Sequence, residues 1–485
     1  MKQLQSVILP GLMLWGWLMM SPFVFAGDDF ASWQRQMMQD FQEFKDERDR
    51  EFTAFLKAHW REMRLLYGVV RDETPKPNVI PKVKSLDRYK PTPQLPRVRP
   101  PVVRPSRPKP PAVTVIPAKG TRITVAFYGH QLPFRIDPAF KASFGYTINK
   151  QAISDYWAKL SRADYEPLLE QFNAQRRTLQ LNDWAYLLLV HQLVKNLHPN
   201  RHNEQLLLTW FILTKNGYLA RIAYDRHQVY LLMPVNQALY AVSYFTFDGM
   251  RYYDIPFDGK DRQQLRRVYT YDSHYPGATK ALDMRLSSPI VTRSQSGAKH
   301  LTFSYRGKNY HIKANYDRHT VDFLRTYPQM DIGMYFISTV HPETGKQLLE
   351  QLRPLVTSKS ELDAVNLLLR FVQTAFKYKT DKDQFGEENY LFAEESLFYP
   401  YSDCEDRSVL FAWLVQHLLG LEIVGLSYPG HIATAVHFNG QVSGDSITYR
   451  GKHYVITDPT FINARAGMTM SQHKKNKPGV ILIEP

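Results

Sequence analysis

The sequence predicts an α+β protein. Three observations carry that prediction. Beyond Gly120, strand-like alternation and helix-like periodicity succeed one another. The last third then repeats the order of elements seen in the first part of that region. The composition is that of a folded chain: 44% hydrophobic, 13% aromatic and 22% charged residues. Such values exclude wholesale disorder, a collagen and a coiled-coil rod. At about 150 residues per domain, 485 residues suggest roughly three units. A single cysteine excludes an internal disulfide and any multi-cysteine zinc or iron–sulfur centre.

The N-terminus reads as an address. Met1 and Lys2 precede an apolar run from Val7 to Met20, and Val24-Phe25-Ala26 supplies the cleavage pattern of a secretory signal peptide, residues 1–26. The alternative, an uncleaved anchor, is weakened by Pro10 and Gly11. No cysteine at the cleavage region means no lipoprotein, and no other run is long enough to span a bilayer. The mature chain is expected in a periplasm or secreted, without a transmembrane segment.

From Asp28 to Tyr67 the apolar residues recur at helical spacing, giving an amphipathic helical unit over 27–71. Phe30, Trp33, Met37, Phe41 and Phe44 begin the stripe; Phe52, Leu56, Trp60 and Met63 continue it. The expectation is a helix that packs on its own protein, self-associates as a coiled coil, or docks on a protein partner through residues 28–67. Its mixed charge, Asp46-Glu47-Arg48-Asp49-Arg50-Glu51, disfavours a membrane surface.

Residues 72–119 read as a basic, proline-rich linker. Within 75–117 lie 13 of the 31 prolines. Such a stretch favours extended polyproline II, and 43 residues at about 3.1 Å each reach roughly 130 Å. Between 75 and 122 there are 12 Lys and Arg against one acid, Asp87, so this segment carries +11 of the net charge of +15. The high charge thus describes a spacer rather than a nucleic-acid-binding face, and no nucleic-acid partner is expected.

The folded part divides as 120–280, an α+β domain; 281–345, a β-rich connection; and 346–485, a second α+β domain. A strand pair is expected around Tyr128-Gly129-His130, helices over 149–175, 182–197 and 204–214, a glycine stop at Gly217, and strands at 218–224 and 228–233. The stretch 285–340 reads mostly as strand, with a hairpin turn at Tyr305-Arg306-Gly307-Lys308-Asn309-Tyr310. In the last third, helices 361–378 and 404–419 precede strands 421–427, 431–438 and 453–458. Trp210 and Trp413 occupy matching helices. The two parts read either as a duplication or as two α+β segments with the same generic patterning. If duplicated, the first copy puts Arg201, His227 and Pro256 near the positions of Cys404, His431 and Asp458, so it is degenerate.

The chemistry gathers in the last third. Cys404 opens a helix after Pro400, and Ser402 with Glu405 has capping-box spacing. A thiol in a helix's first turn lies near unpaired N–H groups that favour the thiolate. Asp403, Glu405 and Asp406 oppose this, so a histidine must supply the balancing cation. His431 and His437 compete for that place at either end of one strand, and His431, after Gly430, is the expected base. Asp458 follows an apolar strand and precedes Pro459-Thr460, which places it at a sheet rim to orient the imidazole. An oxyanion donor could come from the Cys404 backbone, Gln384 or Tyr399. No metal-site spacing is found among His191, His198 and His202, and no nucleotide-binding fingerprint appears, so no metal or cofactor is expected.

Over about 361–463 the sequence resembles the transglutaminase-like superfamily, the papain-related cysteine fold. The resemblance rests on Cys404, His431 and Asp458-Pro459-Thr460 in that order, with 27 residues in each gap. It implies a helix packed on an antiparallel sheet and a catalytic triad of Cys404, His431 and Asp458. Ser402 stands where the family often has glycine, and Ile432-Ala433 where it often has Ala-Trp. The function implied is an exported cysteine peptidase, amidase or acyl transferase acting on protein or peptide in the cell envelope. The alternative is a non-enzymatic envelope adaptor that uses an inactive copy of the same fold.

Overall fold

The structure, a computed structural model, describes residues 27–64, 66, 80–83, 95–98, 120–257 and 267–483. The expected signal peptide lies outside them, as does most of the proline-rich segment. No helix among the described residues is long and apolar enough to cross a membrane. The described residues are mixed α+β and fall into two compact units, one up to Glu51 and one from Phe52 on.

Helix α1 runs Gly27–Ala58. In the smaller unit its Trp33, Met37 and Phe44 are all more than half exposed. The expected continuation of the helix to Tyr67 fails. After Ala58 the chain extends, and Arg61–Met63 becomes strand β1. Two attractions compete successfully with another helical turn. The Trp60 ring packs edge-on against Tyr224 and Tyr271, with centroids 5.0 and 5.1 Å away. The extended backbone also fills hydrogen bonds at a sheet edge.

The larger unit begins with the last residues of α1. Phe52 and Leu56 are buried in its core. The Phe52 ring lies 4.8 Å from Trp157 and 5.3 Å from Tyr275. The apolar stripe therefore has a core of its own at this end, contrary to a stripe that must seek a partner throughout.

Strands β2 (Thr121–Phe127) and β3 (His130–Ile136) form the expected hairpin, turning at Gly129 with φ +83°. The single helix expected over 149–175 is two, α2 (Lys150–Ser161) and α3 (Glu166–Thr178). Pro167 is the reason: without an N–H it starts a helix well but cannot continue one. Helices α4 (Asp183–Leu197) and α5 (His202–Lys215) follow. Asn182 caps α4, its Oδ1 accepting from the Ala185 N–H at 3.0 Å. After Gly217 come β4 (Arg221–Tyr224), β5 (Val229–Pro234), β6 (Tyr244–Phe247), β7 (Met250–Asp254) and β8 (Val268–Thr270). With β1 they form an antiparallel sheet of order β1-β8-β4-β5-β7-β6.

The stretch expected to be mostly strand is so only over β9 (Ser296–Tyr305) and β10 (Lys308–Asp317). Arg306 and Gly307 both have positive φ, the requirement of a type I′ hairpin turn. Two short helices then replace the expected strands, α6 (Arg318–Leu324) and α7 (Ile332–Phe336). Each starts at an aspartate whose carboxylate caps it. Asp317 accepts from the Thr320 N–H at 2.7 Å and Asp331 from the Gly333 N–H at 2.9 Å.

The last part comprises α8 (Pro342–Val356), α9 (Glu361–Ala375), β11 (Lys377–Tyr378), α10 (Asp381–Phe385), α11 (Ala393–Phe398), β12 (Tyr401–Ser402) and α12 (Cys404–Leu414). A π-helical turn and Gly420, φ +65°, end α12. Then come β13 (Glu422–Tyr428), β14 (His431–His437), β15 (Ser446–Tyr449), β16 (Lys452–Thr457) and β17 (Gly479–Ile481). Their antiparallel order is β15-β16-β14-β13-β17.

The two sheets match strand for strand. Reading β8-β4-β5-β7-β6 beside β17-β13-β14-β16-β15, each strand of the first has a counterpart of the same sequence rank in the second. Each set follows a buried helix carrying a tryptophan, Trp210 in α5 and Trp413 in α12. The two halves thus repeat one connectivity.

The proline-rich segment is not free where it is described. Val83 N–H donates to Ile462 O (2.9 Å) and Ile462 N–H to Pro81 O (3.1 Å). Val98 N–H donates to Lys359 O and Glu361 N–H to Pro96 O, both at 3.1 Å. Val98 is buried in the core. Proline removes donors from the chain, but the residues between prolines keep theirs, and these find carbonyls on the second repeat. The spacer reading is corrected for residues 80–83 and 95–98.

Candidate functional site

Cys404 is the first residue of α12, and its side chain is wholly buried. The cap lies one residue later than Ser402 and Glu405 suggest. Asp403 precedes the helix, and Asp406 Oδ2 accepts the Asp403 N–H at 3.1 Å. Ser402 Oγ instead faces Arg407 Nε, 3.4 Å away. From Val409 on the helix is apolar on every side, so α12 is a core helix whose charged and hydroxyl side chains all fall within Cys404–Ser408.

The start of α12 abuts the start of β14. Ser408 Oγ sits 2.7 Å from the Cys404 carbonyl oxygen and 3.2 Å from that of Ile432, bridging the two elements. His431 opens β14, and its Nε2 is 2.9 Å from Asp458 Oδ2, with both residues buried. Strands β14 and β16 pair with Thr434 opposite Thr457, which sets Asp458 just beyond the strand end, next to Ala433 in register and within reach of His431. The other Asp458 oxygen accepts the N–H groups of Thr460 (2.9 Å) and Phe461 (3.0 Å). Burial alone pushes this carboxyl up, but the His431 imidazole and those two N–H donors outweigh it and hold it below its ordinary value. Gln373 Nε2 lies 3.0 Å from the Asp458 carbonyl and 2.8 Å from that of Phe461, fixing the turn on α9. With Nε2 committed to Asp458, the other ring nitrogen is the one left for proton exchange. His431 Nδ1 is buried and has no hydrogen-bond partner among the described residues.

The thiol faces an acid. Cys404 Sγ is 3.0 Å from Glu405 Oε2, an arrangement in which the S–H donates to the carboxylate. Glu405, Asp403, Asp406 and Asp381 are buried too. Three overlapping groups could hold a cation, since their donor atoms lie within 4.8 Å of one another: Asp403, Cys404 and Glu405; Asp381, Asp403 and Asp406; Asp381, Glu388 and Glu405. Arg407 is the cation nearest them in sequence. Burial pushes its guanidinium down to about 10, opposed by Tyr378 and the two aspartates, so it stays charged at neutral pH. It donates to the Phe376 carbonyl at 2.7 Å.

The remaining expected residues fall in different places. Both polar atoms of the Gln384 side chain are buried without a hydrogen-bond partner. Tyr399 lines a cavity of about 320 Å³ with Glu395, Arg325 and Tyr390. His437 is at the far end of β14, about 20 Å from His431 at ~3.3 Å per residue; its Nδ1 bonds the His453 carbonyl at 2.9 Å. One residue escaped the sequence reading altogether. His473 stacks on His431, rings 9° apart with centroids 5.2 Å away, and is itself buried. It follows a stretch with no periodic pattern, so nothing in the sequence pointed to it.

The first repeat carries different residues at the matching places. Tyr224 faces Val229 across the β4–β5 pair as Tyr428 faces His431 across β13–β14. Leu232 opposes Asp254 where Thr434 opposes Thr457. By this register Val229 stands in the place of His431 and Ile255 in that of Asp458. His227 lies instead in the β4–β5 turn, and Pro256 matches Pro459. Arg201 precedes α5, whose first residue is His202. No family model matches the chain, and no curated protein or solved structure matches it.

Proposed function

We propose that the chain is an exported, cysteine-dependent amide-bond enzyme whose second repeat is a transglutaminase-like domain. The observation that carries the reading is the buried His431–Asp458 pair, 2.9 Å apart, with His431 Nδ1 left open beside the helix that starts at Cys404. Asp458 fixes the imidazole orientation through its bond to Nε2. His431 takes the thiol proton on Nδ1, and the Cys404 thiolate attacks the carbonyl carbon of an amide. The proton then passes to the leaving amine, and a thioester remains on Cys404. Water resolves it in a peptidase or amidase; an amine resolves it in an acyl transferase. The backbone N–H of Cys404 and the side chain of Gln384 are the donors offered to the oxyanion.

For this chemistry the thiol must leave Glu405 and turn to His431, and the cover over Cys404 must open. Glu405→Gln removes the charge that opposes the thiolate. Its expected effect is faster iodoacetamide alkylation of Cys404 at pH 7, with the pH profile displaced to lower pH. An unchanged profile would separate Glu405 from control of the thiol.

Cys404→Ala is expected to melt like the parent chain while losing all amide cleavage and all amine incorporation. The readouts are amine release from casein and incorporation of dansylcadaverine into it, which also separates hydrolysis from transfer. Activity retained by the purified variant would remove the cysteine mechanism.

A second reading has its own observation. A wholly buried thiol hydrogen-bonded to a carboxylate also suits an inactive fold that serves as an envelope adaptor, presenting the exposed Trp33, Met37 and Phe44 to a partner. That reading expects Cys404 to resist alkylation until the protein unfolds.

A further inference from the structure

The first repeat encloses a cavity of about 630 Å³ at the place matching the Cys404 site of the second. Its walls come from α4, the β2–β3 turn, Thr326, the start of α5, the start of β5 and the chain just after β7, and the last three are the counterparts of the elements that carry Cys404, His431 and Asp458. Val229 and Ile255, at the register positions of the base and its orienter, cannot move protons. With no counterpart of the triad, what the cavity offers is recognition.

We infer that this cavity binds an uncharged stretch of polypeptide bearing an aromatic side chain, as the anchoring subsite for a substrate whose amide reacts at Cys404. The inference rests on the amide-bond reading for its purpose, but the binding itself stands on the cavity. Its size falls within the usual range for ligand pockets, about 300–1,000 Å³. Its formal charges are one of each sign, Lys195 and Asp254. His191 and His202 also line it, and burial keeps both neutral at pH 7; the first is pushed down to about 3, with Lys195 and His202 adding to the effect. A net-neutral wall disfavours a strongly charged ligand such as a phosphate. Gln192, Gln205 and Gln228 bring primary amides to the lining, and a primary amide carries the same donor and acceptor groups as a peptide bond. The Gln205 amide nitrogen is occupied by the His198 carbonyl at 2.7 Å, so its oxygen is the group it can offer. The aromatic side chain would lie against Phe257, whose ring already stacks on His191 at 3.7 Å, and against Tyr230.

Direction comes from Thr326. It lines this cavity and also the smaller one that contains Glu395 and Tyr399, five residues before Cys404. A chain seated in the first cavity therefore has a neighbouring cavity leading towards the second repeat.

The test is calorimetric titration of the full mature chain, and of its Cys404→Ala form, with the capped tripeptide acetyl-Ala-Phe-Ala-amide. The same titrations with N-acetylglucosamine and inorganic phosphate serve as the other arms. Equal binding of the tripeptide by both forms is expected, weakened at least tenfold by Gln192→Trp, which fills the cavity. Gln192→Leu, which only removes the amide, should weaken it less, and both variants should melt like the parent. No tripeptide binding, preference for the sugar or the phosphate, or indifference to both Gln192 variants overturns the inference. If the tripeptide binds as expected while Cys404 is inert, the enzyme reading falls and the binding site stands. If Cys404 is reactive but tripeptide affinity ignores the Gln192 variants, the enzyme reading stands and this inference falls.

Discussion

His431→Ala should slow iodoacetamide alkylation of Cys404 at pH 7 by about 10²-fold or more, the usual scale for losing a positioned acid–base group. His437→Ala should leave the rate unchanged. The two histidines share a strand and a face, six residues apart, so sequence alone makes both eligible. What separates them is the end of the strand they occupy. His431 lies at the level of the α12 start, where Ser408 bridges the Cys404 and Ile432 carbonyls, and is held by Asp458. His437 pairs across the sheet with Glu422 and bonds the His453 carbonyl, remote from the thiol. Parallel melting curves for the two variants guard against unfolding as the cause. A rate that collapses in His437→Ala and not in His431→Ala would overturn the assignment.

A chain beginning at Gly120 should lose its cooperative melt, whereas one beginning at residue 27 should keep it. The shorter chain lacks Phe52 and Leu56, which are buried in the core, and β1, which pairs with β8. Truncating a buried Leu or Phe to Ala costs about 2–5 kcal/mol. Removing two such side chains together with Trp60, a strand and the backbone bonds from 81–83 and 96–98 takes away a large part of a typical net stability of about 5–15 kcal/mol. Leu56→Ala in the full chain isolates one term, and a melting temperature unmoved by it would show that α1 is dispensable to the larger unit. A Gly120 chain that melts cooperatively at the parent temperature would restore the spacer reading for the entire segment.

The elements that the sequence made legible are those with strong local signals. The helices over 183–197 and 361–375 show a sustained apolar period and a polar cap at Asn182 and Ser360. The hairpin at Arg306-Gly307 carries its turn residues openly. The His431–Asp458 pairing was legible because His431 opens an apolar strand after Gly430 and Asp458 closes one before Pro459, and such strand ends meet at a sheet rim. What failed was set by tertiary partners. Nothing local stops α1 at Ala58; Trp60 stops there because Tyr224 and Tyr271 wait for it. The straps at 81–83 and 96–98 look like any proline-rich spacer until Ile462 and Lys359 supply their hydrogen-bond partners. Burial of the thiol on Glu405 was equally hidden, because in the sequence the three acids beside the cysteine only oppose its thiolate and do not show which of them the thiol meets. His473 carried no pattern at all.

If Cys404 is a thiol activated by His431, its alkylation in the intact mature chain depends on pH in a way that a free or inert thiol does not reproduce. Iodoacetamide is expected to modify the native protein with a midpoint well below the free-thiol value of about 8.5. Modification that appears only in denaturant, or that follows the free-thiol midpoint, would contradict this activation.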